Sequence, residues 1–122
     1  MERPSQYTLT AEVTDDMTAK RIGTAGAKIL STPSMLALME GAALELAKSY
    51  LDDGMTTVGV EAHVYHLAST PVGMEVSVTA TLRSMERRKL WFDLEVTDEN
   101  GTCGKGSHLR IMVPNKDRSQ QA

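Results

Sequence analysis

The sequence has little cysteine, few aromatic side chains and no strong charge of one sign. It contains one cysteine, one tryptophan, one phenylalanine and three tyrosines, and its formal net charge is −3. The single cysteine, Cys103, rules out an internal disulfide framework and fits a reducing compartment. Eight methionines beside so few aromatic rings predict an adaptable core rather than a rigid one.

Charge and hydropathy argue against two classes of partner. The one short run of cations is Arg87-Arg88-Lys89, which we interpret as a turn between strands, so no nucleic-acid partner is predicted. No apolar run approaches the roughly 20 residues that a helix needs to cross a bilayer, so no membrane partner is predicted. The N-terminus lacks the apolar core of a signal peptide, and a cytoplasmic location is therefore expected.

A long helix is predicted from Ser31 to Tyr50, and its middle turns are apolar on nearly all sides. Thr32 is a suitable N-cap, and Pro33 suits the first helical position because no N–H is needed there. A helix with so little polar surface is normally enclosed by other elements. Glu40 places one carboxylate in this run, so we expect it to be paired, raised in pKa or used for chemistry. The alternative is an aliphatic stem that packs while the carboxylate reaches water.

Five segments carry the alternation or the β-branched composition that is typical of strands. They cover residues 7–13, 57–66, 74–85, 89–98 and 103–113. Asn100-Gly101 between the last two is a hairpin signal. The segment from Thr18 to Leu30 is less defined, since its last four residues fit either a short strand or a helical turn.

Length and element order predict a single α+β domain over residues 1–122, with flexible tails at 1–6 and 115–122. One strongly twisted antiparallel sheet would bury the helix by curling around it. The edge strands of that sheet need a partner or a cover, which favours a dimer that continues the sheet.

Three side chains suit acid–base or nucleophilic chemistry: Glu40, His66 and Thr32. His66 ends a strand just before a Pro-Gly turn, where side chains commonly face a cleft, although a histidine satisfied by backbone groups is the alternative. His63 lies on the opposite face of that strand and is interpreted as structural. Thr32 and Glu40 are separated by about 12 Å of helical rise, so contact between them needs a folded-back segment or a second chain.

Glycine and arginine mark candidate contacts with a ligand. Gly59 in a β-branched strand predicts a bulge or the close approach of a ligand. Gly104 and Gly106 predict a kink or a close contact. Arg110 beyond them is a candidate for holding a phosphate, with a surface ion pair as the alternative. No cluster of His, Cys and Asp has the spacing of a metal site, and no metal is predicted.

Two motifs together resemble the hotdog-fold thioesterases, and within them the fluoroacetyl-CoA thioesterase-like group. They are Ser34-Met-Leu-Ala-Leu-Met-Glu-Gly-Ala-Ala43 and His66-Leu-Ala-Ser-Thr-Pro-Val-Gly73. The resemblance implies a hotdog fold, in which a curved antiparallel sheet wraps one long central helix, and a homodimer whose further association stays open. It also implies hydrolysis of an acyl-CoA thioester at a dimer-interface cleft, with no cofactor beyond the coenzyme A of the substrate.

By position, the resemblance assigns catalytic roles to Thr32, Glu40 and His66. Glu40 would act as nucleophile or general base, His66 would assist proton transfer, and Thr32 would orient or attack. Gly59 would donate its N–H to the thioester carbonyl, and Ser34 is a further candidate for binding substrate.

The segment from Arg21 to Leu30 departs from the fluoroacetyl-specific enzyme, which has phenylalanines there that gate its pocket. This chain has none in that segment, so fluoroacetate specificity is not expected. The main alternative function is a non-catalytic module that binds acyl-CoA or another small acyl ligand in the same cleft. A hydratase-type hotdog domain would need an Asp/His pair in a loop beside the helix, and the sequence has no such pair.

Overall fold

One long helix and a five-stranded sheet form the fold, for which a computed structural model describes residues 3–115. The helices are α1 (Ala19–Ile22) and α2 (Thr32–Ala47), and the strands are β1 (Gln6–Glu12), β2 (Met55–His66), β3 (Glu75–Glu86), β4 (Lys89–Asp98) and β5 (Gly101–Pro114). Short 3₁₀ turns cover Asp15–Met17 and Lys48–Tyr50. Residues 1–2 and 116–122 of the predicted tails lie outside the described residues. Within residues 3–115, no helix has the length and apolar character needed to cross a membrane.

The predicted strands are confirmed, with β4 correct at both ends and the others within two residues. β1 begins at Gln6, inside the stretch expected to be a flexible leader. Alternation buries Val76, Val78 and Ala80 of β3, as the pattern predicted, whereas Leu82 is only partly buried. The segment whose conformation was left open is extended at its end, because Ile29 forms an isolated bridge with Pro71.

The sheet is antiparallel throughout, and its strand order is β1-β3-β4-β5-β2. β2 therefore pairs with β5 alone and forms one edge of the sheet, although it directly follows the long helix. The pairing register of β2 shifts between Gly59 and Glu61. This bulge confirms one of the two explanations predicted for Gly59.

α2 lies across one face of the sheet and buries a row of apolar side chains. These are Met35, Met39, Ala42, Ala43, Leu46 and Ala47. Gly104 lets the helix approach the backbone of β5, because a Cβ there would lie only 2.5 Å from Met35 Sδ. This confirms the close contact predicted for the glycines of β5. Burying each methionine stabilises the fold by about 1.5–3 kcal/mol.

The N-cap of α2 is Ser31, so the prediction that Thr32 caps the helix is wrong. Ser31 has an extended backbone, with φ −80° and ψ 157°, and its hydroxyl accepts the Ser34 N–H at 3.1 Å. A cap needs such a non-helical backbone to direct its side chain over the first turn. Since the Ser31 hydroxyl accepts the hydrogen bond at the start of the helix, the hydroxyl of Thr32 is available to bond elsewhere.

The sheet does not enclose α2 on all sides in the single chain. Glu40 lies where α2 faces β2, and 43% of its side chain is exposed, so the expectation of a buried carboxylate is wrong for one chain. The physical reason is that β2 is an edge strand, with no further strand of the described chain beyond it. The same strand exposes three large apolar side chains, Val58, Val60 and Tyr65.

Candidate active site

Thr32 and His66 form the first of two polar groups, where the start of α2 meets the end of β2. Thr32 Oγ1 lies 2.8 Å from His66 Nδ1, in a hydrogen bond whose donor depends on the histidine tautomer. The other ring nitrogen, Nε2, is buried and has no hydrogen-bond partner among the described residues. When the hydroxyl donates to Nδ1, the neutral ring carries its proton on Nε2. His66 then presents a donor that a ligand can use.

An apolar hollow of about 400 Å³ adjoins this pair. The residues that α1 and the following segment contribute to its wall are Ala19, Thr24, Ala25, Ile29 and Leu30. Backbone hydrogen bonds hold the segment against the start of α1, since Ala19 N donates to Ile29 O at 2.8 Å. The hollow therefore suits a small apolar group held next to Thr32 and His66.

Glu40 is the centre of the second polar group, which lies farther along α2. Its Oε2 is 3.8 Å from Arg110 Nη1 and 3.9 Å from His108 Nε2. The carboxylate also fills the space that Gly59 leaves, because a Cβ on Gly59 would lie 2.7 Å from the same oxygen. Glu40 is thus held between a glycine of β2 and two basic side chains of β5.

Arg110 is buried, with a residue exposure of 6%, and its guanidinium bonds to Thr57 and His108. Nε donates to Thr57 Oγ1 at 2.7 Å, Nη2 donates to the Thr57 carbonyl at 3.0 Å, and Nη1 lies 3.1 Å from His108 Nε2. Burial lowers the pKa of Arg110 and the charge of Glu40 raises it, but an arginine remains charged in proteins. The guanidinium therefore presents a fixed positive charge to Glu40.

The hydrogen bonds of His108 fix its tautomer. Its Nδ1 lies 2.8 Å from the carbonyl of Glu61, and since a carbonyl only accepts, Nδ1 carries the proton. Nε2 then accepts from Arg110. Burial lowers the pKa of His108, which favours this neutral ring. No role was predicted for His108, although its spacing from Arg110 places both side chains on one face of the strand.

The two polar groups do not meet within one chain. Thr32 and Glu40 are separated by about 12 Å of rise along α2. Their neighbours on β2, His66 and Gly59, are separated by about 20 Å of strand. The structure thus brings Thr32 to His66 and Glu40 to Gly59, but it does not bring the two pairs together.

The remaining candidate residues occupy varied positions. The Ser34 hydroxyl accepts a hydrogen bond from Ser31 at 2.8 Å, within the helix cap. His63 lies 3.3 Å from the Glu61 carboxylate and is exposed. The roles assigned to Ser34, Gly59 and Arg110 in substrate binding stay predictions. Among residues 3–115, no group of three or more His, Cys, Asp or Glu side chains is placed to hold a metal ion.

We expect the free energy of unfolding to fall as the pH drops below about 6.5, and to fall less in a His108→Gln variant. Burial lowers the pKa of His108 below its ordinary 6.5, so between the two values the unfolded chain binds more protons than the folded one. This contribution of His108 to stability is present above pH 6.5, and it is lost as the pH falls to the pKa of His108 in the folded chain. Urea unfolding at a series of pH values measures it, with the exposed His63→Gln as control. An unchanged pH dependence in His108→Gln would contradict the assignment.

Comparison with known proteins gives one family. The sequence profile of the fluoroacetyl-CoA-specific thioesterase, FlK, matches residues 13–116. A fluoroacetyl-CoA thioesterase from Streptantibioticus cattleyicolor is 36% identical over 86 residues, which cover 70% of this chain and 62% of that protein. The match therefore spans less than two thirds of that relative's length.

Solved structures give the same fold. A point variant of the fluoroacetyl-CoA thioesterase in complex with acetyl-CoA superposes with a TM-score of 0.88 at 28% identity, over 99% of this chain and 96% of that one. A hot-dog-like protein from Thermanaerovibrio acidaminovorans superposes with a TM-score of 0.83 at 24% identity, over 90% and 82% of the two chains. The predicted α+β hotdog fold is confirmed.

Proposed function

This chain belongs to the fluoroacetyl-CoA-specific thioesterase family, and from that membership we propose that it hydrolyses an acyl-CoA thioester to a carboxylic acid and free coenzyme A. The observation that carries the proposal is the placement of Glu40 in the space left by Gly59. A carboxylate beside the backbone of a side-chain-free strand position can act on a carbonyl bound to that backbone.

We infer that two copies complete the site by pairing along β2. This strand is an edge with unpaired backbone groups, and its exposed Val58, Val60 and Tyr65 favour burial against a second copy. An antiparallel pairing of β2 with itself about a two-fold axis would continue the sheet through a homodimer. We place the axis at His63, near the middle of the strand, so that this residue pairs with its own copy.

Such a pairing would set His66 of one copy opposite Val60 of the other, next to Gly59 at the bulge, because His66 and Val60 are each three residues from the axis. Thr32 and His66 would then face Glu40 of the second copy, although they are distant from Glu40 of their own chain. Each dimer would hold two sites, and both chains would contribute to each.

The proposed reaction uses these residues as follows. Glu40 removes a proton from a water whose oxygen attacks the thioester carbon, or the carboxylate itself attacks and water hydrolyses the resulting anhydride. The N–H of Gly59 stabilises the oxyanion that forms. The carbon–sulfur bond then breaks; the leaving thiolate accepts a hydrogen bond from the Nε2–H of His66, whose ring Thr32 orients, and takes its proton from water. In the general-base route, exchange with solvent removes the proton that Glu40 took from the attacking water.

The hollow beside Thr32 and His66 supports a proposal about the class of acyl group that the substrate carries. Its wall carries the small side chains of Ala19, Thr24 and Ala25 and no charged group, and its volume of about 400 Å³ exceeds what an acetyl group fills. We therefore propose apolar acyl groups larger than acetyl as substrates. The coenzyme A of the substrate is the only cofactor in this scheme.

Thiol release from short, branched and aromatic acyl-CoAs tests the proposed function. We expect release from at least one member, with faster turnover of a branched or longer acyl group than of acetyl-CoA. If no member is hydrolysed while acyl-CoA raises the melting temperature, the chain is a binding module and the proposed function is wrong.

A further inference from the structure

We propose that Arg110 is a positioning residue for the hydrolysis proposed above: anchored by Thr57 and His108, it holds the carboxylate of Glu40 against Gly59. This inference rests on the proposed function. It gives Arg110 a different role from the phosphate binding that its sequence position predicts.

The anchoring of Arg110 leaves its guanidinium little freedom. Three of its N–H groups are committed to Thr57 and His108, over distances of 2.7 to 3.1 Å. His108 is itself fixed, because its Nδ1–H donates to the Glu61 carbonyl. The planar fork of an arginine suits such a set of partners, whereas a lysine ammonium cannot satisfy all of them at once.

The burial of Arg110 argues against contact with a phosphate. Only 8% of its side chain is exposed, and its Nη1 already lies 3.8 Å from the Glu40 carboxylate. A phosphate would have to displace that carboxylate to reach the guanidinium. Arg110 is therefore placed to act on Glu40 and not on the nucleotide part of a substrate.

The spacing between Arg110 and Glu40 suits a carboxylate that must react. At 3.8 Å the contact is an ion pair without a hydrogen bond, so the lone pairs of the carboxylate are not tied to the arginine. Glu40 is thus held in place by the nearby charge while its oxygens remain able to take a proton or attack.

The groups that surround this carboxylate come from two strands. β5 contributes Arg110 and the neutral His108, which lie within 4.0 Å, and β2 contributes Gly59, which has no side chain. The carboxylate of Glu61, also on β2, lies 3.3 Å from His63 instead. Arg110 is therefore the one fixed cation beside Glu40 in the described residues.

The test compares the wild type with Arg110→Met, with Arg83→Met as the matched control. Arg83 is an exposed arginine paired with Asp93 at 3.5 Å, away from Glu40. We expect Arg110→Met to lower kcat by about 10- to 100-fold with KM for acyl-CoA nearly unchanged. Arg83→Met should leave both properties unchanged.

Arg110→Lys provides a second variant if the methionine chain does not fold, which the melting temperature reports. Lysine keeps the charge but not the fork, so we expect its kcat to lie between those of Arg110→Met and the wild type. A raised KM with kcat unchanged, in either variant, would assign Arg110 to substrate binding and overturn the inference. Wild-type kinetics in either variant would also overturn it. Absence of thiol release from the wild type would instead overturn the proposed function.

Discussion

Glu40→Gln is expected to lower thiol release by about 10²- to 10⁴-fold, the range that a positioned general base contributes. Glutamine keeps the size of the side chain and its place between Gly59 and the guanidinium of Arg110. It has no negative charge and cannot take the proton of the attacking water. Because Glu40 is half-exposed and glutamine is a good helix former, the fold should be unaffected. Steady-state thiol release and a melting curve measure the two properties separately.

Glu45→Gln is the matched control for this variant. Glu45 lies on the same helix but is exposed and pairs with Lys48 at 2.9 Å, away from both polar groups. We expect wild-type turnover from it. Equal activity in Glu40→Gln and the wild type would show that Glu40 is not the catalytic carboxylate.

Gly59→Ala is expected to lower turnover by about 10²-fold, the cost of misplacing a catalytic group by roughly 1 Å. The new Cβ would lie 2.7 Å from Glu40 Oε2 and 2.8 Å from His108 Cε1. His108 cannot move aside easily, because the Glu61 carbonyl and Arg110 hold its ring. Either Glu40 or the strand must therefore shift, and overpacking of this kind also costs about 1–3 kcal/mol of stability. Turnover and urea unfolding measure the two effects.

A double variant separates crowding of Glu40 from other effects of the alanine. Alanine keeps the backbone N–H of residue 59, so a loss of activity cannot come from a missing oxyanion donor. If Gly59→Ala acts by displacing Glu40, it should cause little further loss in the Glu40→Gln background. Additive losses would mean that the alanine disturbs the substrate site by another route.

The elements of this fold are visible in the sequence because their signals are local. Alternation defines β3, and Asn100-Gly101 marks the hairpin that joins β4 to β5. The sequence pattern could not decide whether Ser31 or Thr32 is the N-cap, because both residue types cap well. It depended on the backbone conformation of Ser31, which the contacts of the preceding segment set.

The strand order is not local and could not be predicted. No signal in β2 indicates that it pairs with β5, which begins 35 residues after β2 ends, instead of the adjacent β3. That pairing decides the environment of Arg110, because Thr57 bonds it from the neighbouring strand. Sequence alone showed that His108 and Arg110 share a face, but it did not show that this face meets Glu40.

The candidate site was predictable as a set of residues but not as an arrangement. The family resemblance pointed to Thr32 and His66, and the structure joins them at 2.8 Å. Helical rise alone showed that Thr32 cannot reach Glu40 within one helix, which left a folded-back segment or a second chain as the ways to join them. The position of β2 at the edge of the sheet supplies a surface on which that second chain would pair.

The most direct test of a site shared between two chains is the activity of a mixed dimer. One chain carries Glu40→Gln, the other carries Thr32→Ala with His66→Ala, and different affinity tags allow the mixed dimer to be purified. Both homodimers should be inactive. The mixed dimer should recover about half of the wild-type turnover, because one of its two symmetry-related sites then holds every native residue. An inactive mixed dimer would contradict the shared site, since it would mean that Thr32, His66 and Glu40 act within one chain.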